Sequence, residues 1–123
     1  MVDTSSPAHL YRLLRSDELY HFYMGDPVII AELDESASGQ VVETVLGDDI
    51  FSGQNITHVV TRNTWFAVYL KEGGPCGWSL GGVTMSPAWD LEDQPDTNRT
   101  ELLAMFPQAR QSIISLTLNS DPE

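Results

Sequence analysis

A chain of 123 residues has room for one core, so any site lies within one domain or between identical copies. Six Lys and Arg against 18 Asp and Glu give a net charge of −12. Such a field repels phosphate backbones and anionic membrane surfaces, which excludes nucleic-acid and lipid-surface binding as first readings. The bland account of the acidity is solubility. A hydrophobic fraction of 41% is enough for a packed interior. The single cysteine, Cys76, rules out an intramolecular disulfide and a thiolate metal cluster. Asp3, Thr4, Ser5 and Ser6 make the start polar, with no leader pattern, and no apolar run approaches the ~20 residues of a membrane span. A cytoplasmic protein is expected.

The elements read as short β-type runs followed by a helical tail. Leu19 to Tyr23 is aromatic-rich and stops at Met24-Gly25-Asp26-Pro27, a turn signal. Val28 to Leu33 resumes as a strand and is broken at residues 34–39. Val41 to Leu46 follows and closes at Gly47-Asp48-Asp49. Thr57 to Val60 and Trp65 to Leu70 come next, then a Gly-Gly-Pro-Cys-Gly loop at 73–77 and a strand from Trp78 to Met85. Turns recurring every ten residues or so favour a sandwich or barrel over a parallel sheet. Asn98 with Glu101 forms a capping box, and Leu102, Leu103 and Phe106 supply an apolar helix face. Pro107 ends that helix and opens a second through Ile113, Ile114 and Leu116. The simplest arrangement is one domain over 1–123, a barrel at about 9–90, and a tail at about 97–117 whose helices close one barrel end.

The run from Ser16 to Pro27 is similar to the "SDE-(aliphatic)-WHFYxGDP" signature of a cupin subfamily. The resemblance continues through Val45 to Asp49, Gly53-Gln54, Asn63 to Phe66, Ser79 to Asp93, Arg99 to Leu103 and Phe106-Pro107. It implies a mainly-β jelly-roll (cupin) barrel related to deoxysugar-nucleotide epimerases, commonly a homodimer. Members usually carry an "HPEGG"-type segment and two early strands ahead of this region, so an N-terminally shortened barrel is expected here. In metal-binding cupins a histidine pair and a glutamate from this stretch, with a later histidine, hold a divalent ion. Here Arg12 stands where the subfamily often has its first histidine, and the later one is replaced near Phe66.

Glu18 and His21, at i and i+3 on a strand, fall on opposite sides of the pleat unless a bulge intervenes. Together they form the candidate acid–base pair, since a carboxylate stabilises an imidazolium that shuttles protons near neutral pH. Tyr23 is the candidate proton-returning phenol, and Tyr11 and Tyr20 are candidate donors to a developing oxyanion. Arg12 suits a ligand carboxylate or phosphate, and equally an ion pair with Asp17 or Glu18. Trp65 offers a flat pocket wall, and Gln54 and Thr84 are polar residues expected to point inward. No cofactor is expected, and a metal would need His21, Glu18 and His9 to converge, with His58 as an extra ligand. The bland readings are a core histidine at His21, strand packing for the tyrosines and for Trp65 and Trp78, and a strand residue at His58.

The leading functional expectation is a metal-independent isomerase, epimerase, cyclase or lyase acting on a small carbonyl-containing metabolite. A non-catalytic small-ligand module is the alternative, and a metal-dependent dioxygenase is the third.

Overall fold

The computed structural model describes residues 1–3, 8–34, 40–94 and 97–117. The turn expected at 35–39 and most of the polar segment after Met1 lie outside the described residues. Among the described residues eight strands form: β1 (Val2–Asp3), β2 (Ala8–Tyr11), β3 (Asp17–Gly25), β4 (Val28–Asp34), β5 (Gln40–Leu46), β6 (Thr57–Val60), β7 (Phe66–Leu70) and β8 (Trp78–Ser86). Helices α1 (Arg99–Met105) and α2 (Arg110–Leu116) follow. Periodicity did not signal β1 and β2; each is too short to carry an alternation of its own.

Pairing is antiparallel throughout, in the orders β1-β8-β3-β6 and β2-β7-β4-β5. The two sheets stack face to face without closing, so the architecture is a jelly-roll sandwich rather than a sealed barrel. Between them lie Phe22, Val28, Ile30, Leu46, Val60, Phe66, Val68 and Leu70, all buried. Covering both faces of β4 and β7 explains why Val28 to Ala31 and Phe66 to Val68 read as unbroken apolar runs.

The second face of β4 and β7 is covered by the helices. Leu102, Phe106, Ala109, Ile113 and Leu116 pack against Leu10, Ala31, Leu33, Trp65 and Ala67. The tail therefore does not close a barrel end as expected; the small side chains of Ala31 and Ala67 leave a flat surface that the helix faces fill. Asn98 caps α1 as expected, accepting from the Glu101 N–H at 3.1 Å. Pro107 opens a short 3-10 turn, Pro107–Ala109, between the helices.

The turn at Asp26 ties the sheets' ends together. Its buried side chain accepts backbone N–H bonds from Cys76 (3.1 Å) and Gly77 (2.6 Å). Although burial opposes it, these donations hold the Asp26 carboxyl below the usual carboxylate range. The Gly-Gly-Pro-Cys-Gly loop is thus a clamp on a carboxylate, not a phosphate loop. Gly25, at φ +98°, precedes it, and a Cβ there would stand 2.5 Å from the Trp78 carbonyl oxygen. A Cβ at Gly74 would stand 2.5 and 2.6 Å from the two Asp26 carboxylate oxygens. Gly74→Ala is therefore expected to cost about 1–3 kcal/mol, by overpacking a site with no slack. Chemical denaturation of the two proteins checks this, and equal midpoints would show that the loop yields freely.

Candidate functional site

Strand β3 decides which side chains meet. Its register against β8 is continuous from Glu18↔Met85 through Leu19↔Thr84, Tyr20↔Val83 and His21↔Gly82 to Phe22↔Gly81. The irregularity comes only later, between Phe22 and Met24. Over this stretch side chains alternate strictly, so Glu18, Tyr20 and Phe22 face the second sheet while Leu19 and His21 face away; Tyr23, within the irregularity, lies beside His21. Glu18 and His21 are not brought together, which corrects the expected acid–base pair. The His21 Nε2 lies 3.1 Å from the Thr84 hydroxyl, and its ring stacks on Tyr23 with centroids 6.4 Å apart. Tyr23 is 60% exposed.

Inside the sandwich, Glu18 is only 1% exposed. Its Oε2 accepts from the Tyr11 hydroxyl at 3.0 Å, and that hydroxyl lies 3.1 Å from the Tyr20 hydroxyl. Its other oxygen, Oε1, is buried without a partner among the described residues. Both tyrosine rings pack on Phe66, at 4.6 Å for Tyr11 and 5.8 Å for Tyr20. Burial pushes the Glu18 carboxyl up, against the lowering effect of the two hydroxyls. Burial first, and the neighbouring Glu18, raise both phenols well above the ordinary range, Tyr11 despite the lowering contact with Tyr20, so both remain neutral donors. An orphaned buried acceptor costs roughly 1–3 kcal/mol. A fold shaped by stability alone gains nothing from it, and such groups gather where chemistry is done.

Tyr20 also lines a cavity of about 120 Å³ together with Phe22, Val28, Leu46, Val68 and Val83. Tyr20, the last residue of the hydroxyl–carboxyl chain, is therefore also part of the wall of a mostly apolar cavity. His21 borders the same cavity, but its imidazole nitrogen is engaged by Thr84 on the far face.

A second polar bridge crosses the sandwich. His58 stands opposite Tyr20 in the β3–β6 register, and its Nε2 lies 2.5 Å from Glu32 Oε1 on β4. The sequence reading does not single out Glu32, and takes His58 as an extra metal ligand or a plain strand residue. Parity could have found both: Glu32 follows Val28 and Ile30 at steps of two, and His58 precedes Val60 by two.

The remaining candidates lie elsewhere. Trp65 is buried under the helices on the outer face of β7, not in the cavity. Arg12 stacks on it, 4.8 Å from ring centroid to guanidinium carbon, and donates from Nη1 to Asn63 Oδ1 at 3.0 Å. It pairs with neither Asp17 nor Glu18; Asp17 instead meets Arg62 at 3.6 Å. Gln54 accepts from the Asp49 N–H and braces the 47–55 turn. Thr84 is on the outward face with His21. These corrections share one cause: sequence order does not say which face of a strand meets the other sheet.

Among the described residues no three His, Cys, Asp or Glu side chains converge. Glu18 and His21 lie on opposite faces, and the acid's near neighbours are phenols, poor ligands beside imidazole and carboxylate. Among the described residues the donors present do not fit a divalent ion.

The raised Glu18 fixes a sign. Its protonated form is favoured in the folded chain, so its contribution to stability is full below the unfolded value of 4.5 and is lost as pH rises through the higher folded value. Glu18→Gln removes that loss. The stability of the variant relative to the parent is expected to grow from pH 4 to pH 8 in denaturant titrations, and a pH-independent difference would contradict the shift.

A sequence model described as "Cupin superfamily (DUF985)" matches residues 1–95. Among solved structures, a hypothetical protein from Leishmania major superposes with a TM-score of 0.85 at 23% identity, over 96% of this chain and 73% of that one. A Shewanella oneidensis protein gives a TM-score of 0.84 at 25% identity, over 96% of this chain and 71% of that one. No curated protein matches. No helix is long and apolar enough to cross a membrane among the described residues. With most of its length matched by the family's sequence model and its two sheets arranged as described, the chain belongs to the cupin superfamily (DUF985).

Proposed function

We propose that this cupin is a small-molecule enzyme of the isomerase or lyase type, using metal-independent proton transfer at the inter-sheet cavity. One observation supports the reading: Tyr20 belongs both to the Glu18–Tyr11–Tyr20 chain and to the cavity lining. With Glu18 ionised, the α-proton of a carbonyl compound passes to the Tyr20 oxygen as the Tyr20 proton passes to Tyr11 and the Tyr11 proton to Glu18 Oε2, leaving an enolate and a neutral carboxyl. The same chain run backwards returns a proton to carbon and restores the carboxylate. The upward shift of the carboxyl by burial makes it a stronger proton acceptor for this task, and the phenols stay protonated between transfers. The orphaned Glu18 Oε1 leaves the acid free to change partners.

The cavity also bounds the substrate. At about 120 Å³ it is well below the ~300–1,000 Å³ of pockets for drug-sized ligands. Its walls are mostly apolar, so a compact neutral ketone or aldehyde fits better than a charged metabolite. That apolar lining, with Tyr20 the phenol among its side chains, also favours a second reading, a module that binds such a compound without turnover.

The test is proton exchange at the α-carbon of hydroxyacetone, butanone and cyclopentanone in D2O, followed by NMR. The wild type is expected to accelerate exchange, and Tyr20→Phe and Glu18→Gln to lose about 10²–10⁴-fold, with His21→Ala unchanged. Binding at Phe22 and Val68 without exchange in any protein would instead establish the non-catalytic module. Loss of exchange in His21→Ala alone would put the chemistry on the outer face.

A further inference from the structure

We propose that the cleft at the opposite end of the sandwich is a separate ligand site for a small dipolar molecule, a free α-amino acid with an apolar side chain. The cleft encloses about 380 Å³, within the range of small-molecule pockets and about three times the inter-sheet cavity. One wall is the end of β4 with its β5 neighbour, bringing Glu32, Asp34 and Val42; the other is the loop Arg62, Asn63 and Thr64. Glu32 and Asp34, two apart on one strand, present on the same face, and Val42 is the register partner of Glu32.

The two walls carry opposite charge. Glu32 Oε1 is bonded to His58, which pins the carboxylate, and its Oε2 makes no hydrogen bond among the described residues. Arg62 is exposed and only loosely held, with its Nε 3.6 Å from Asp17. Its two terminal nitrogens make no hydrogen bond among the described residues. Asn63 is fixed in place: φ is +66°, its N–H donates to the Leu13 carbonyl at 2.6 Å, and its Oδ1 accepts from Arg12 at 3.0 Å. With Oδ1 taken, its amide nitrogen is left as a donor beside Arg62.

This pattern selects by charge. An anion alone gains Arg62 but meets the carboxylates, and a cation alone gains Glu32 but meets the guanidinium. A ligand with both groups satisfies both walls, its ammonium on Glu32 and its carboxylate on Arg62 and Asn63. Val42, 47% exposed, is the apolar surface on which a side chain can rest. A free amino acid has this arrangement within a few atoms.

The experiment is an NMR titration of the full chain with three probes: L-leucine, isoamylamine, which lacks the carboxylate, and 4-methylpentanoate, which lacks the amine. L-leucine is expected to shift residues 32–34, 42 and 62–64, with an affinity at least about ten-fold above either single-charge probe. Arg62→Ala, a change at an exposed side chain, is expected to bring L-leucine down to the level of isoamylamine. Equal binding of the three probes, an unchanged L-leucine affinity in Arg62→Ala, or no shift at 62–64 overturns the proposal. Shifts confined to Tyr20, Phe22 and Val68 overturn it too, and bear only on the inter-sheet cavity.

Discussion

The unbroken pleat of β3 from Glu18 to Phe22 governs the rest of the molecule. Side chains alternate along it with a period of two, so one continuous register sends Glu18, Tyr20 and Phe22 into the sandwich and His21 out of it. A single extra residue between positions 18 and 21 would reverse the outcome and place the imidazole beside the acid. The irregularity instead falls between Phe22 and Met24, after the inward set has been laid down. Everything said of the interior, from the phenol chain to the orphaned carboxylate oxygen, follows from that position.

Packing then isolates this set. Phe66 supports both phenol rings, and the row Tyr11–Phe66–Glu32 runs across the second sheet opposite Tyr20 and His58. Two polar bridges therefore cross an otherwise apolar interior, Tyr11 to Glu18 and His58 to Glu32. On one side of them lies the small apolar cavity, and on the other the charged cleft. The sandwich is divided internally by its own hydrogen bonds, and the two compartments differ in polarity because strand ends carry the charges and strand middles do not.

The helical layer has a structural part. It buries the outer face of β4 and β7, and so stiffens the sheet that presents Tyr11, Phe66 and Glu32. Arg12 belongs to this support through its stack on Trp65 and its bond to Asn63, at the junction between the helical side and the cleft loop. The Asp26 clamp does the same service at the far end, where backbone donors from the 76–77 loop take the place of a partner cation.

The sequence by itself determined the mainly-β class, six of the eight strands, the two helices with the Asn98 cap, and the likeness to the cupins. These are local properties: a period of two, turn residues with fixed torsional preferences, and a capping side chain three residues from its donor. It also put Glu18, Tyr11 and Tyr20 among the site candidates, because carboxylate and phenols crowd one stretch. Only the tertiary structure decided that these three meet while His21 and Tyr23 do not, that Trp65 serves the helices, and that His58 reaches Glu32 on the other sheet. Those outcomes depend on which strand pairs with which and on the face each sheet turns to the other. Such contacts span up to tens of residues in sequence, and no short-range pattern encodes them.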